Sequence, residues 1–87
     1  MELTCNNIIK LRNGKVGAVT CFNDRPAILV FEAYTNPISR YDAELKNKNT
    51  DYDIVEVRDG NGVERLQDIY RKRFDLEALP LIWKREE

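Results

Sequence analysis

Tyr52-Asp53-Ile54-Val55-Glu56-Val57-Arg58 is the stretch that decides the fold. Ile54, Val55 and Val57 carry side chains branched at Cβ, which fit a pleated surface, while Asp53, Glu56 and Arg58 supply polar positions to face water. Polar residues 46–51 precede it and Asp59-Gly60-Asn61-Gly62 follows, so turn chemistry bounds the heptapeptide at both ends. It is predicted to be a central strand, with the upstream chain laid against it as further strands and the downstream chain packed on them as a helix.

Upstream, residues 7–12 and 15–22 read as two strands joined at Asn13-Gly14, the pair favoured in a two-residue hairpin because both positions accept positive φ. The second strand puts Val16, Ala18, Thr20 and Phe22 on one face and Gly17, Val19 and Cys21 on the other. Gly17 has no side chain to pack, which predicts a bend, a bulge or a close backbone approach. Asn23-Asp24-Arg25-Pro26 is a second turn. Residues 27–34 follow as a third strand, nearly continuous in apolar side chains through Ile28, Leu29, Val30 and Phe31, as expected of a strand buried on both faces or with one face in the core and the other under a helix.

Residues 35–51 break the pattern. Asn36-Pro37 starts a turn, residues 41–45 have the composition of one helical turn, and Ile38, Tyr41 and Leu45 are spaced to pin it down. Downstream, Asn61 and Glu64 form a capping-box arrangement for a helix reaching Phe74, with Val63, Leu66, Ile69 or Tyr70, and Phe74 along its inner face. Pro80 stops it. Leu81-Ile82-Trp83 then reads as a short last strand, with Trp83 closing the sheet beside the first strand.

With 87 residues the chain has room for one core, so residues 1–87 are read as a single domain. Fourteen basic residues against 15 acidic ones leave no global field to draw the chain to nucleic acid or anionic lipid. The start Met1-Glu2-Leu3-Thr4 lacks signal-peptide character, and no apolar run is long enough to span a bilayer, so a cytoplasmic location without membrane contact is expected. The two cysteines, Cys5 and Cys21, match no zinc-ligand spacing. The buried habit of free cysteine places both in strands or core, whereas a bridge between them requires Cα atoms within about 7 Å.

Three separated stretches resemble a known group when taken together. Leu11-Arg12-Asn13-Gly14-Lys15-Val16-Gly17, Tyr41-Asp42 with Leu45 and Tyr52-Asp53-Ile54-Val55-Glu56-Val57, and Leu81-Ile82-Trp83-Lys84-Arg85 are similar to segments of short proteins encoded by bacteriophages and prophages. Those proteins look like small SH3-like barrels and carry no common activity to transfer. The resemblance implies a bacterial host cell and a non-enzymatic module. Combined with the strand pattern, it gives the expected fold: mainly β, an SH3-like, strongly bent antiparallel barrel of about five strands with one C-terminal helix before the last strand.

The chain contains no histidine, which argues against most acid-base, nucleophilic and transition-metal chemistry. No enzyme activity and no cofactor are expected. Asp42, Glu44, Asp51, Asp53 and Glu56 read as a solvated acidic set, since their spacing fits no calcium loop. A small anion such as a nucleotide could sit at the turn from Asp59 to Gly62, which leads into the predicted helix, or in a cleft between two subunits, although the turn matches no phosphate-loop pattern and ordinary turn and capping chemistry is its plainer reading. Arg65, Arg71, Lys72 and Arg73, with Lys84 and Arg85 near the helix end, are a candidate nucleic-acid patch set against the plainer reading of a solubilising face. Tyr34, Tyr41 and Tyr52 flank the long connection, and Asp42, Glu44 and Asp53 would rim a groove between them suited to an extended peptide. The expected function is therefore binding of a host or viral protein, an inhibitor of a host defence component being one such role. Unpaired strand edges would also permit a homodimer.

Overall fold

The computed structural model describes residues 1–61, 63, 65–71 and 75–86. Its strands are β1 (Asn7–Leu11), β2 (Val16–Phe22), β3 (Arg25–Phe31), β4 (Thr35–Pro37), β5 (Ile54–Asp59) and β6 (Leu81–Lys84), with one short helix, α1 (Leu66–Tyr70). All pair antiparallel in a single open sheet of order β4-β3-β2-β1-β5-β6. The expectation of a mainly β domain holds, but the expected five strands are six and the sheet has two ends. Trp83 lies opposite Val57 of β5 and not beside β1. The decisive heptapeptide does have neighbours on both edges, β1 and β6, although its strand begins at Ile54.

The two hairpins exchange their expected geometries. At Asn13-Gly14 only Gly14 has positive φ, at +88°. Gly14 N–H reaches the Leu11 carbonyl and Leu11 N–H reaches the Lys15 carbonyl, both at 2.9 Å, which makes a turn followed by a left-handed glycine and not a two-residue loop. The two-residue loop is Asn23-Asp24, where φ is +50° and +62° and Phe22 pairs directly with Arg25. Pro26 sits inside β3 because the β2–β3 register shifts between Thr20 and Cys21, a place where a missing N–H is tolerated.

One face of the sheet carries the main core: Ile9, Leu11, Val19, Leu29, Ile54 and Val57 are at most 2% exposed, and Leu3, Phe31 and Leu45 complete the cluster. Burying each such aliphatic side chain contributes about 1.5–3 kcal/mol. Gly17 is the close approach expected of it, since a Cβ there would sit 2.7 Å from the Phe31 ring and 2.9 Å from the Val30 carbonyl oxygen. On the opposite face Ile8 and Ala18 are covered by Ile69 of α1 and by Leu79, with Val16, Val63 and Leu76 packed around them.

The helix is shorter than its apolar spacing predicts. Asp59 Oδ1 accepts the Asn61 N–H at 2.9 Å and Val63 N–H reaches the Gly60 carbonyl at 3.1 Å, so this stretch closes turns before a helix can start. The helix begins after Arg65, whose side chain gives no cap. The capping partner Glu64 and the predicted end at Phe74 lie outside the described residues.

Cys5 and Cys21 are joined in a disulfide with Cα atoms 5.7 Å apart, which corrects the reading of two free core cysteines. The lead-in runs beside β2, with Asn6 N–H on the Val19 carbonyl at 3.2 Å, and Cys21 lies past the shift in register where the strand emerges to solvent.

Candidate functional site

The connection between β4 and β5 is built from side chains that imitate backbone turns. Asp42 Oδ1 accepts the N–H groups of Glu44 at 2.8 Å and Lys46 at 3.0 Å. The Lys46 N–H is the main cause holding its carboxyl below the usual range. Asn47 accepts from Asn49 N–H, and Asn49 from Asp51 N–H, leading into a 3-10 turn over Thr50–Tyr52. The predicted helical turn at 41–45 is instead a 3-10 turn over Ile38–Arg40, after which Tyr41 is extended. Ile38, Tyr41 and Leu45 nevertheless pack on the main core as their spacing suggested.

Two arginines brace this connection from outside. Arg12 Nη1 lies 2.8 Å from Asp53 Oδ2 and donates to the Thr50 carbonyl, also at 2.8 Å. Arg85 donates to the carbonyls of Glu44 at 2.7 Å, Leu45 at 3.3 Å and Ile54 at 2.9 Å, with its guanidinium 5.0 Å from the centre of the Trp83 ring. Nothing in the sequence marks either arginine as a brace. Each is an ordinary basic residue just past the end of a strand, and its carbonyl partners come from distant positions.

The connection carries Tyr41 and Tyr52, while Tyr34 lies in the turn between β3 and β4. The Tyr41 hydroxyl donates to the Tyr52 carbonyl at 2.8 Å. Its pKa is pushed up to about 12, first by burial and then in part by the nearby phenols of Tyr34 and Tyr52. Burial and Tyr52 raise that of Tyr34 too. Tyr34 stacks on Phe31 with centroids 4.7 Å apart, and it and Tyr52 are each over a third exposed.

No family model, curated protein or solved structure matches the chain.

The acidic rim is distributed differently from its sequence reading. Asp53 is 3% exposed, and its second oxygen accepts the Asn47 N–H at 2.7 Å, so its carboxylate holds the connection together and does not face a partner. Asp42 and Glu44 are exposed, and Glu44 pairs with Lys46 at 3.1 Å. Beside them a shallow cleft of about 390 Å³ is lined by Arg40, Lys46 and Lys48 together with Asp42, giving this edge mixed charge.

The other candidates are dispersed. Arg65 and Arg71 are exposed at opposite ends of α1, while Lys72 and Arg73 lie outside the described residues. Arg85, committed to backbone carbonyls, belongs to the connection and not to a patch with them. In the turn from Asp59 to Gly62, Gly62 lies outside the described residues, and among the described ones the helix that follows begins only at Leu66. Among the described residues no three acidic or cysteine side chains are grouped to hold a metal ion. Among them, too, no helix is long and apolar enough to cross a membrane.

Proposed function

We propose that the chain is a non-catalytic binding module that recognises a protein partner through Tyr34, Tyr41 and Tyr52, with Asp42 and Glu44 at the rim and Asp53 as the internal brace. One observation carries this reading: Tyr41 and Tyr52 are held together by a connection fixed through Asp42, Arg12 and Arg85, the Tyr34 phenol lies near both, and Tyr34 and Tyr52 stay over a third exposed. Tyrosine offers large contact area with few rotors to freeze, and a fixed platform loses little further entropy when it is covered. The cytoplasm of a bacterial host and a viral origin follow from the resemblance to phage proteins, and inhibition of a host component is the role proposed in that setting.

The test is binding of a captured host or viral partner by the Tyr34→Ala, Tyr52→Ala double variant. Both side chains are exposed enough for the fold to survive their truncation. Loss of about 2 kcal/mol or more, roughly 30-fold in Kd, is expected of a hot-spot pair. Unchanged affinity in a folded double variant would refute the assignment of this surface.

A further inference from the structure

A second concavity lies between the loop joining β1 to β2, residues 31–34, and Ile69, Tyr70, Asp75 and Leu76. We propose that it binds a phosphate-bearing ring compound of the mononucleotide class whose base carries an amino group. Its volume is about 840 Å³, within the range usual for small-molecule sites.

Three kinds of lining meet there. Val16, Ile69 and Leu76 make an apolar floor. Lys10 and Lys15 supply two ammonium groups, and among the described residues neither is in an ion pair. Glu32 and Asp75 add two carboxylates to the lining, and Glu32 lies near the Tyr70 phenol, whose pKa it raises after the larger effect of burial. The Tyr70 hydroxyl donates to the Val30 carbonyl at 2.8 Å and so ties the end of α1 to β3. Tyr34 lines the mouth, and with one ring face stacked on Phe31 its other face can stack a base.

A bare inorganic anion would engage only the lysines, and an uncharged ring only the floor and Tyr34. A mononucleotide engages the lysines, the aromatic ring and a carboxylate at once, with phosphate on Lys10 and Lys15 at a distance from Asp75, the base on Tyr34, and its amino group donating to Glu32. The groove shares Tyr34 with the protein-partner reading, but Tyr41 and Tyr52 do not line it.

The test is a titration of ¹⁵N-labelled protein with AMP, alongside inorganic phosphate, adenosine and a short oligo-dA strand, read from amide chemical shifts. AMP is expected to shift the amides of Gly14, Lys15, Glu32 and Tyr34 saturably. Phosphate and adenosine should each bind roughly tenfold or more weakly than AMP, and Lys10→Gln with Lys15→Gln should weaken AMP by a similar factor. Glutamine keeps most of each stem, and an unchanged melting temperature verifies that this variant is folded. Tyr52→Ala should leave AMP binding intact, separating this site from the partner surface. If the strand binds the same amides more tightly than AMP, the ligand is the end of a nucleic-acid strand and the site stands. Absence of saturable shifts with AMP into the millimolar range, or binding that the lysine variants do not weaken, overturns it.

Discussion

Replacing Asp53 by alanine separates an internal brace from a contact on a partner. The carboxylate makes two charge-assisted interactions, with Arg12 at 2.8 Å and with the Asn47 N–H at 2.7 Å, from a side chain only 4% exposed. Removing one partner of a fully buried pair costs about 3–5 kcal/mol, but the Arg12 side chain is 34% exposed and its charge can return to water. The Asn47 N–H has no such escape, and an orphaned buried donor costs about 1–3 kcal/mol. A total of about 2–3 kcal/mol follows for Asp53→Ala. Asp53→Asn keeps an acceptor for the Asn47 N–H but sets an amide against the guanidinium, so its cost should be about half as large.

Urea denaturation followed by circular dichroism measures both variants. For a domain of this size the slope is about 1 kcal/mol per molar urea, so the alanine midpoint should fall by about 2–3 M with the slope unchanged. Hydrogen exchange should show the loss concentrated at residues 46–52, since local opening follows the contacts removed. A midpoint shift of less than about 0.5 M would mean that the carboxylate contributes nothing to the fold, and the Arg12–Asp53 brace would have to be abandoned.

Three further predictions concern other supports of the same architecture. Arg85→Ala should lower stability by about 2 kcal/mol, because several carbonyls lose a charged donor together, and Arg85→Lys should recover less than half, since an ammonium lacks the guanidinium's fork; equal melting temperatures for the wild type and Arg85→Ala would refute this. The Tyr41 phenol is raised from 10.0 to about 12 in the fold, so between those pH values the unfolded chain loses the proton first and stability falls as pH rises. Tyr41→Phe should flatten that part of the profile, and an unaltered alkaline decline would count against the assignment. The disulfide joins residues 16 apart, for which loop entropy gives about 3 kcal/mol, so reductant should lower the melting temperature once thiol titration shows both sulfurs free, and no change at that point would sink the estimate.

Strand positions were legible because side-chain alternation and turn residues are local properties. Leu29, Phe31 and Val57 fall in the core from within apolar strands and Gly17 is the tight contact its missing side chain suggested, whereas Ile54, three residues from Val57, joins the same core only because the β1–β5 register shifts between Lys10 and Leu11. Sheet closure was not legible, because it depends on which strand receives Leu81-Ile82-Trp83, and a short apolar segment fits beside β5 as well as beside β1. The helix was overread for a related reason: apolar spacing from Val63 onward is genuine, but the turns closed by Asp59 and Gly60 compete for the same backbone groups. Among the candidate site residues, the tyrosines were picked out by their position around a long connection, and their phenols lie near one another. Asp53 was misassigned because its partner Arg12 is 41 residues away, and a carboxylate beside a loop carries no local sign of being buried.

The same arginines explain why a connection so rich in asparagine, aspartate and lysine has a fixed shape at all. Side-chain turns at Asp42, Asn47 and Asn49 satisfy neighbouring N–H groups, but their carbonyls still need donors from elsewhere. Arg85 supplies donors at Glu44 and Leu45, and Arg12 supplies one at Thr50. One arginine follows β6 and the other follows β1, so both ends of the connection are referred to the sheet. An interaction surface carried on such a segment inherits the stability of the core beneath it. Weakening either brace should therefore lower partner affinity through the ordering cost of binding, even though neither guanidinium belongs to the tyrosine face.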